Sequence, residues 1–128
     1  MDILLADDSA LIRHRVKEAL HRISGSDQIH EASTMEDALS RLKAVSPAVI
    51  ILDLRMPDGS GMDVLKSVKA LPDPPVVVVY TNYPYPQYRR KCMEWGADYF
   101  FDKSEDLENI TDVIARMHHG AARKSETD

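Results

Sequence analysis

Two continuous apolar segments restrict the fold of this chain more than any other feature of its sequence. They are residues 48–52 (Ala-Val-Ile-Ile-Leu) and residues 76–80 (Val-Val-Val-Val-Tyr). Alternate side chains of a β-strand point to opposite faces of a sheet, so a strand without polar positions must be covered on both faces. β-branched residues also favour strand over helix. The two segments therefore predict interior strands of a parallel sheet with helices on both sides.

Three further strands are expected at residues 3–6, 28–32 and 98–101. The second of these alternates polar and apolar residues, which is typical of an edge strand. The segments between strands carry apolar residues at helical spacing, including Ile23 in the first helix and Leu71 in the third. Strands that alternate with helices are joined by right-handed crossovers and lie parallel. We therefore predict one three-layer α/β domain of five strands and five helices.

Residues that start or end helices separate these segments. The expected starts are Ser9, residues 33–37, Ser60 with Asp63, Pro86 and Ser104. The expected ends are Gly25, Pro47, Pro72, Gly96 and Gly120, the last directly after His118 and His119. The final residues are polar and lack periodicity. We expect a domain over residues 1–119 and a short polar tail over residues 120–128.

Composition narrows the function classes. The chain has 128 residues, and its net charge of −5 argues against a nucleic-acid-binding surface as its main role. No apolar run approaches the length that spans a bilayer, and the first residues do not form a signal peptide. The single cysteine, Cys92, excludes an internal disulfide and fits a reducing compartment. We expect a cytoplasmic protein that binds neither nucleic acid nor membrane.

Polar residues follow four of the five predicted strands: Asp7 and Asp8 the first, Asp53 the third, Thr81 the fourth and Lys103 the fifth. The carboxyl ends of parallel strands share one edge, and ligands bind there where the strand order reverses. Crowded carboxylates hold protons unless a hard cation such as Mg²⁺ takes their oxygens as ligands. A nearby hydroxyl and ammonium suit a phosphoryl group in transfer, and aspartate is a known phosphoryl acceptor.

These positions, with the turn Leu-Asp-Leu-Arg-Met-Pro-Asp-Gly-Ser-Gly at residues 52–61, resemble the receiver domain of bacterial two-component response regulators. The similarity covers residues 2 to about 119. The resemblance implies a flavodoxin-like, doubly wound parallel sheet with strand order 2-1-3-4-5. It also implies a phosphoacceptor of a phosphorelay rather than an enzyme, apart from its own phosphorylation and dephosphorylation. The donor would be a phosphohistidine on a sensor histidine kinase or a histidine phosphotransfer protein.

The resemblance assigns metal-binding roles to four residues. Asp53 would accept the phosphoryl group. Asp8, Asp53 and the backbone carbonyl of Arg55 would bind Mg²⁺ or Mn²⁺ directly, and Asp7 would assist.

The resemblance also assigns a switch. Lys103 would pair with Asp53 or its phosphate, and Thr81 would hydrogen-bond a phosphoryl oxygen. Phe100 matches the aromatic position whose inward rotation accompanies the movement of Thr81.

Two features depart from the family pattern. Ser104 follows the lysine, where the family usually has a proline, often after a cis bond. A cis bond to a residue other than proline costs about 3–4 kcal/mol, so the sequence leaves the geometry of this peptide bond open. Asn82 follows the threonine, where a small residue is frequent, and Arg55 and Tyr83 occupy variable positions that flank the site. We expect them to restrict water and lengthen the lifetime of the phosphorylated state.

Two surfaces are expected to bind partners. Arg13, Arg15 and Lys17 form a basic face of the first helix, a region where the family often docks the phosphodonor. The second surface consists of helix four, strand five and helix five, and by resemblance it binds a downstream protein or a second copy of the chain. Tyrosine and arginine are enriched at such contacts. Those near helix four are Tyr83, Tyr85, Tyr88, Arg89 and Arg90.

Other interpretations remain open. Each site residue alone could be a helix cap, a turn residue or a surface lysine, but their shared position at strand ends argues otherwise. About nine residues follow the expected last helix, so we interpret the chain as a stand-alone receiver that acts through another protein. A receiver-like adaptor that works without phosphorylation is one alternative. A phosphatase of the haloacid dehalogenase type is a remote one, because its DxDxT pattern is absent after the first strand.

Overall fold

The computed structural model describes residues 1–23 and 27–127, with residues 120–127 described by their backbone alone. The strands are β1 (Asp2–Ala6), β2 (Gln28–Ala32), β3 (Val49–Leu52), β4 (Arg55–Met56), β5 (Gly59–Ser60), β6 (Val76–Thr81) and β7 (Tyr99–Asp102). The helices are α1 (Ala10–Ile23), α2 (Met35–Val45), α3 (Gly61–Lys69), α4 (Pro86–Glu94) and α5 (Leu107–Thr127).

The predicted five-stranded parallel sheet is confirmed, with the order β2-β1-β3-β6-β7. This is the expected order 2-1-3-4-5, because β4 and β5 are not part of the sheet and pair with each other as a small antiparallel hairpin. The hairpin was not expected from the sequence pattern. The winding reverses at β1, where Ala6 lies opposite Ala32 on one side and Leu52 on the other. The residues after β1 and β3 are therefore neighbours.

The two apolar segments are covered on both faces, as predicted. In β3, Ile50 and Leu52 face a core formed with α2, α3 and α4, whereas Val49 and Ile51 face a core formed with α1 and α5. These four side chains are at most 1% exposed. Cys92 of α4 is buried in the first of these cores. No helix in the described part of the chain is long and apolar enough to cross a membrane.

Three of the predicted N-caps are confirmed. The hydroxyl oxygens of Ser9 and Thr34 accept hydrogen bonds from the N–H groups three residues later, at 3.3 and 3.0 Å. Ser60 caps α3, but its oxygen accepts from the N–H of Met62 at 3.1 Å rather than from Asp63, its expected capping-box partner. The predicted end of α1 at Gly25 lies outside the described residues.

Two expectations about α5 were wrong. Ser104 does not cap the helix, because its N–H and hydroxyl both donate to the carboxylate of Asp102 at 2.9 Å and close a turn after β7. The helix begins at Leu107 instead, and the carbonyl of Asp106 accepts the N–H of Ile110. The helix also continues through Gly120 to Thr127. A glycine inside a helix costs only about 1 kcal/mol, which the good helix formers after it offset.

Three smaller differences have local causes. Ile23 is the last residue of α1, and Leu71 lies beyond the end of α3. Both are therefore at helix ends and are 42% and 37% exposed. The last strand begins at Tyr99 because the carboxylate of Asp98 accepts the N–H of Val77 at 2.8 Å. The described residues contain no cis peptide bond, so the bond before Ser104 is trans.

Candidate functional site

Three carboxylates meet at the carboxyl edge of the sheet. Asp7 and Asp8 follow β1, and Asp53 follows β3 with its N–H bound to the carbonyl of Ala6 at 2.9 Å. One oxygen from each carboxylate lies within 4.8 Å of the others. Asp7 and Asp53 are buried, 2% and 5% exposed, whereas Asp8 is exposed. The strand order thus brings together residues that are far apart in the chain, as the sequence predicted.

Lys103 is held beside these carboxylates by the end of β7. Its N–H donates to the carbonyl of Thr81 at 2.9 Å, which continues the pairing of β6 with β7 by one residue. Its side chain is 4% exposed, and its Nζ lies 2.5 Å from Asp7 and 3.1 Å from Asp53. The ammonium group therefore bridges the two buried carboxylates.

Burial and the unequal number of charges shift the pKa values of this cluster. Burial, and to a lesser degree the Asp7 carboxylate, raise the pKa of Asp53, although Lys103 opposes this. Burial alone would lower the pKa of Lys103, but the hydrogen bond to Asp7 and the attraction of both carboxylates outweigh burial and raise it. The ammonium stays protonated at neutral pH and compensates only one of the three carboxylates that meet at the site.

The donor set fits a divalent metal ion. Three carboxylates and one ammonium give a formal charge of −2, which a divalent cation would neutralise. The available ligand atoms are carboxylate oxygens, which hard cations prefer. The N–H of Arg55 contacts the Oδ1 of Asp53 at 3.4 Å, so the backbone of Arg55 lies at the site.

The loop after β1 is held by hydrogen bonds and ion pairs that were not expected from the sequence. The carboxylate of Asp7 accepts the N–H of Ser9 at 2.9 Å, and its carbonyl accepts the guanidinium of Arg13 at 2.6 Å. Arg13 and Lys17 also each contact the carboxylate of Glu31 on β2 at 3.1 Å. Two of the three cations on the expected basic face of α1 therefore form ion pairs within the protein. Their shared partner, Glu31 on the edge strand β2, was not identified from the sequence.

Thr81 is fully buried at the end of β6. Its Oγ accepts the N–H of Tyr83 at 2.9 Å, which leaves the hydroxyl hydrogen free to donate to a ligand oxygen. The same bond joins the hydroxyl to the loop that leads into α4. The Thr81 hydroxyl is thus in direct contact with that loop.

Phe100 lies on the same sheet face as Thr81, since it pairs with Val79 of the neighbouring strand. Its ring is 5% exposed and packs in the core with α2, α3 and α4. Arg89 of α4 lies over the ring at 5.8 Å and donates to the Phe100 carbonyl at 3.4 Å. The structure thus places Phe100 inward and links it to α4.

The β4–β5 hairpin forms one wall of the site. The guanidinium of Arg55 stacks on the ring of Tyr83 at 4.3 Å, so these two flanking residues contact each other. Beside them is an open cavity of about 310 Å³. Its lining includes Leu54, Met56, Met62 and Tyr88 together with the stacked pair. Arg55 therefore contacts Tyr83 through its side chain and Asp53 through its backbone N–H.

Comparison with known proteins gives a consistent result. The sequence model of the response regulator receiver domain matches residues 3–115. The sensory transduction protein LytR of Staphylococcus haemolyticus is 28% identical over 128 residues, which are 100% of this chain and 49% of that protein. The chain spans about half the length of the curated relatives it matches first.

Solved structures agree with the fold. The receiver domain of the putative response regulator NarL from Mycobacterium tuberculosis is 29% identical, with a TM-score of 0.81 over 93% of this chain and 96% of that one. A CheY-like receiver domain protein from Methanospirillum hungatei is 19% identical, with a TM-score of 0.83 over 96% and 97% of the two chains.

Proposed function

The chain belongs to the family of response regulator receiver domains, and from this premise we propose that Asp53 is its phosphoacceptor in two-component signalling. The observation that supports this assignment is the buried cluster in which the Lys103 ammonium bridges Asp7 and Asp53. Asp53 is the buried carboxylate that follows an interior strand and is contacted by both Lys103 and the N–H of Arg55. The second oxygen of Asp7 accepts the N–H of Ser9 at 2.9 Å, a shorter contact than the 3.4 Å between Asp53 and the N–H of Arg55.

The proposed reaction is a phosphoryl transfer from a phosphohistidine. A carboxylate oxygen of Asp53 attacks phosphorus, the P–N bond breaks, and the imidazole leaves with the electron pair and takes up a proton. The product is an acyl phosphate on Asp53 and free histidine. Lys103 stabilises the negative charge on the equatorial oxygens, since its Nζ already lies 3.1 Å from the attacking carboxylate.

Asp7, Asp8, Asp53 and the backbone carbonyl of Arg55 would hold Mg²⁺ or Mn²⁺. Carboxylates at this spacing suit a small hard cation that keeps part of its water shell. Such a cation neutralises the excess negative charge and aligns the phosphoryl oxygens when bound.

Thr81 converts the new phosphate into a change of conformation. Its free hydroxyl hydrogen bonds a phosphoryl oxygen, and the bond between its Oγ and the N–H of Tyr83 transmits the movement to α4. Phe100, linked to α4 through Arg89, shifts with it. The exposed residues Tyr85 and Tyr88 lie on the α4 face that then changes.

The partners follow from this chemistry. The phosphodonor is a sensor histidine kinase or a histidine phosphotransfer protein that docks beside α1, where Leu11 and Arg15 are exposed. The face of α4, β7 and α5 binds a downstream protein or a second copy of the chain. Beyond its own phosphorylation and dephosphorylation this domain catalyses no reaction. The buried free cysteine fits the reducing cytoplasm as the compartment.

Beryllofluoride, which mimics an aspartyl phosphate, provides the test. Addition of beryllofluoride with Mg²⁺ should shift amide resonances of residues 81–90 in the NMR spectrum of the wild-type protein. Asp53→Asn should show no shift, whereas Asp63→Asn, which removes an exposed carboxylate of α3, should respond like wild type. A wild-type protein that does not respond would instead indicate a receiver-like adaptor that works without phosphorylation.

A further inference from the structure

The proposed metal ligand on Arg55 is a backbone carbonyl, so its position depends on what holds the β4–β5 hairpin. The hairpin pairs Arg55 with Ser60 and Met56 with Gly59, and each strand has only two residues. A two-stranded hairpin alone is marginally stable at best in water. Its position must therefore come from contacts with the rest of the fold.

The base of the hairpin is fixed by Gly61. The N–H of Gly61 donates to the carbonyl of Leu54 at 2.8 Å. A Cβ atom at this position would lie 1.9 Å from the carbonyl oxygen of Asp53, so only glycine permits this approach. This contact holds the end of the hairpin against the segment that leaves β3.

The tip of the hairpin is held by Asp58. Its two carboxylate oxygens accept hydrogen bonds from the N–H groups of Met35 at 2.7 Å and Glu36 at 3.0 Å. These are the first two residues of α2, where N–H groups have no partner inside the helix. The bonds, chiefly that from Glu36, lower the pKa of Asp58, so its carboxylate is charged at neutral pH.

The start of α2 is a rigid attachment point. Its third N–H, that of Asp37, is capped separately by Thr34 at 3.0 Å. Ala38 and Leu42 anchor the helix in the core at 0% and 6% exposure. The hairpin tip is thus bound to an element that is fixed independently of it.

We propose that Asp58 is a positioning residue for metal binding: by tying the hairpin to the start of α2, it keeps the carbonyl of Arg55 available to a cation held by the acidic cluster. Asp58 acts through Arg55 and does not touch the cation. This role rests on the proposed function, which places the cation at Asp7, Asp8 and Asp53.

The test compares Asp58→Ala with Thr34→Ala, because both remove acceptors from the start of α2 but only the first releases the hairpin. Mg²⁺ affinity is measured by isothermal titration calorimetry, and hydrogen exchange of the amides of residues 55–60 is measured by NMR without metal. Urea unfolding checks that the two variants lose similar stability.

We expect Asp58→Ala to weaken Mg²⁺ binding about ten-fold, at the lower end of the usual effect of groups that hold metal ligands in place. Exchange of the hairpin amides should also become faster in this variant. Thr34→Ala should match wild type in both measurements. Asp58→Asn keeps one acceptor oxygen and should be intermediate.

Equal losses of Mg²⁺ affinity in the two alanine variants would overturn the positioning role, and so would wild-type affinity in Asp58→Ala. If the wild-type protein does not bind Mg²⁺, the proposed function fails at its metal site and the positioning role fails with it. The exchange rates would then still show whether Asp58 holds the hairpin.

Discussion

Contacts of single atoms decide where the backbone of Asp53, the proposed phosphoacceptor, lies. Gly61 touches the backbone of Asp53 so closely that a Cβ atom would meet its carbonyl oxygen at 1.9 Å and the Cα of Leu54 at 2.9 Å. Both of these contacts are with backbone atoms, which cannot move away from a new Cβ as a flexible side chain can. At Gly59, by contrast, the nearest atom is the terminal methyl carbon of Met35 at 2.8 Å, which belongs to a flexible side chain.

Gly61→Ala should therefore lower the free energy of unfolding by about 1–3 kcal/mol, as overpacking of a close contact usually does. Gly59→Ala is the matched control and should cost clearly less, because the methionine side chain can move. Urea unfolding of the two variants measures the difference. Equal stability of Gly61→Ala and wild type would show that the backbone of Asp53 and Leu54 can move to accommodate a Cβ atom at position 61.

The stack of Arg55 on Tyr83 is expected to slow loss of the phosphoryl group. The two side chains stack at 4.3 Å, and the backbone of Arg55 contacts Asp53, so we expect the pair to limit the approach of water to an aspartyl phosphate. A variant with Arg55→Ala and Tyr83→Ala should lose its phosphoryl group several-fold faster than wild type in Mg²⁺, measured by the decay of the phosphoprotein. Arg90→Ala, which removes an exposed side chain of α4, is the control. An unchanged or longer lifetime in the double variant would contradict this shielding.

At the level of whole elements, α5 is tied to the segment before β2 by a buried carboxylate. The side chain of Asp27 is fully buried and accepts hydrogen bonds from His118 at 2.9 Å and from the amino group of Met1 at 3.0 Å. Burial alone would raise the pKa of Asp27, but these hydrogen bonds and the charges of both partners lower it below 3.8. A carboxylate whose pKa falls on folding stabilises the folded state above its unfolded pKa.

Asp27→Asn should therefore lower the free energy of unfolding at pH 7 by about 1–3 kcal/mol, typical of hydrogen bonds to a charged group. The difference from wild type should shrink as the pH falls through the lowered pKa of Asp27, because the wild-type carboxylate is then protonated as well. Urea unfolding between pH 7 and pH 2, which extends well below the ordinary pKa of an aspartate, measures this. Asp73→Asn, at an exposed loop position, should change little at any pH. A constant difference across the range would contradict the linkage.

The main elements could be predicted because periodicity and capping are local properties of the sequence. The strands of residues 48–52 and 76–80 and the cap at Thr34 needed no tertiary information. The start of α5 could not be predicted in this way, because Asp102 binds Ser104 and competes with its use as a cap. The β4–β5 hairpin could not be predicted either, since the hydrogen bond that its Asp58 accepts comes from α2, which is distant in the sequence.

At the level of the whole molecule, the residues of the candidate site could largely be predicted. The residues that hold the loops around the site in place could not. Parallel topology brings Asp7, Asp53 and Lys103 to one edge whatever the details of packing. The contacts of Glu31 and Asp58 could not be predicted, because a carboxylate on an edge strand or in a turn usually faces solvent. Only the three-dimensional structure shows that they hold Arg13 and α2.

Trp95, the only tryptophan of the chain, offers a reporter for the coupling between the site and α4. It follows α4 directly, with Lys66 and Lys91 lying over its ring at 4.0 and 5.0 Å. Beryllofluoride and Mg²⁺ should change its fluorescence if, as we propose, Thr81 transmits the movement through Tyr83 to α4. Thr81→Ala should lose most of that change, and Thr111→Ala on α5 should keep it. A full response in Thr81→Ala would exclude this route.

The central claim is that Asp53 accepts a phosphoryl group. The most direct measurement is the intact mass of the protein after incubation with Mg²⁺ and the small phosphodonor phosphoramidate. We expect wild type and Asp73→Asn to gain one phosphoryl group, and we expect none in Asp53→Asn or when a chelator removes Mg²⁺. Phosphorylation of Asp53→Asn to the wild-type level, or none in wild type with either phosphoramidate or a phosphohistidine donor, would contradict the account.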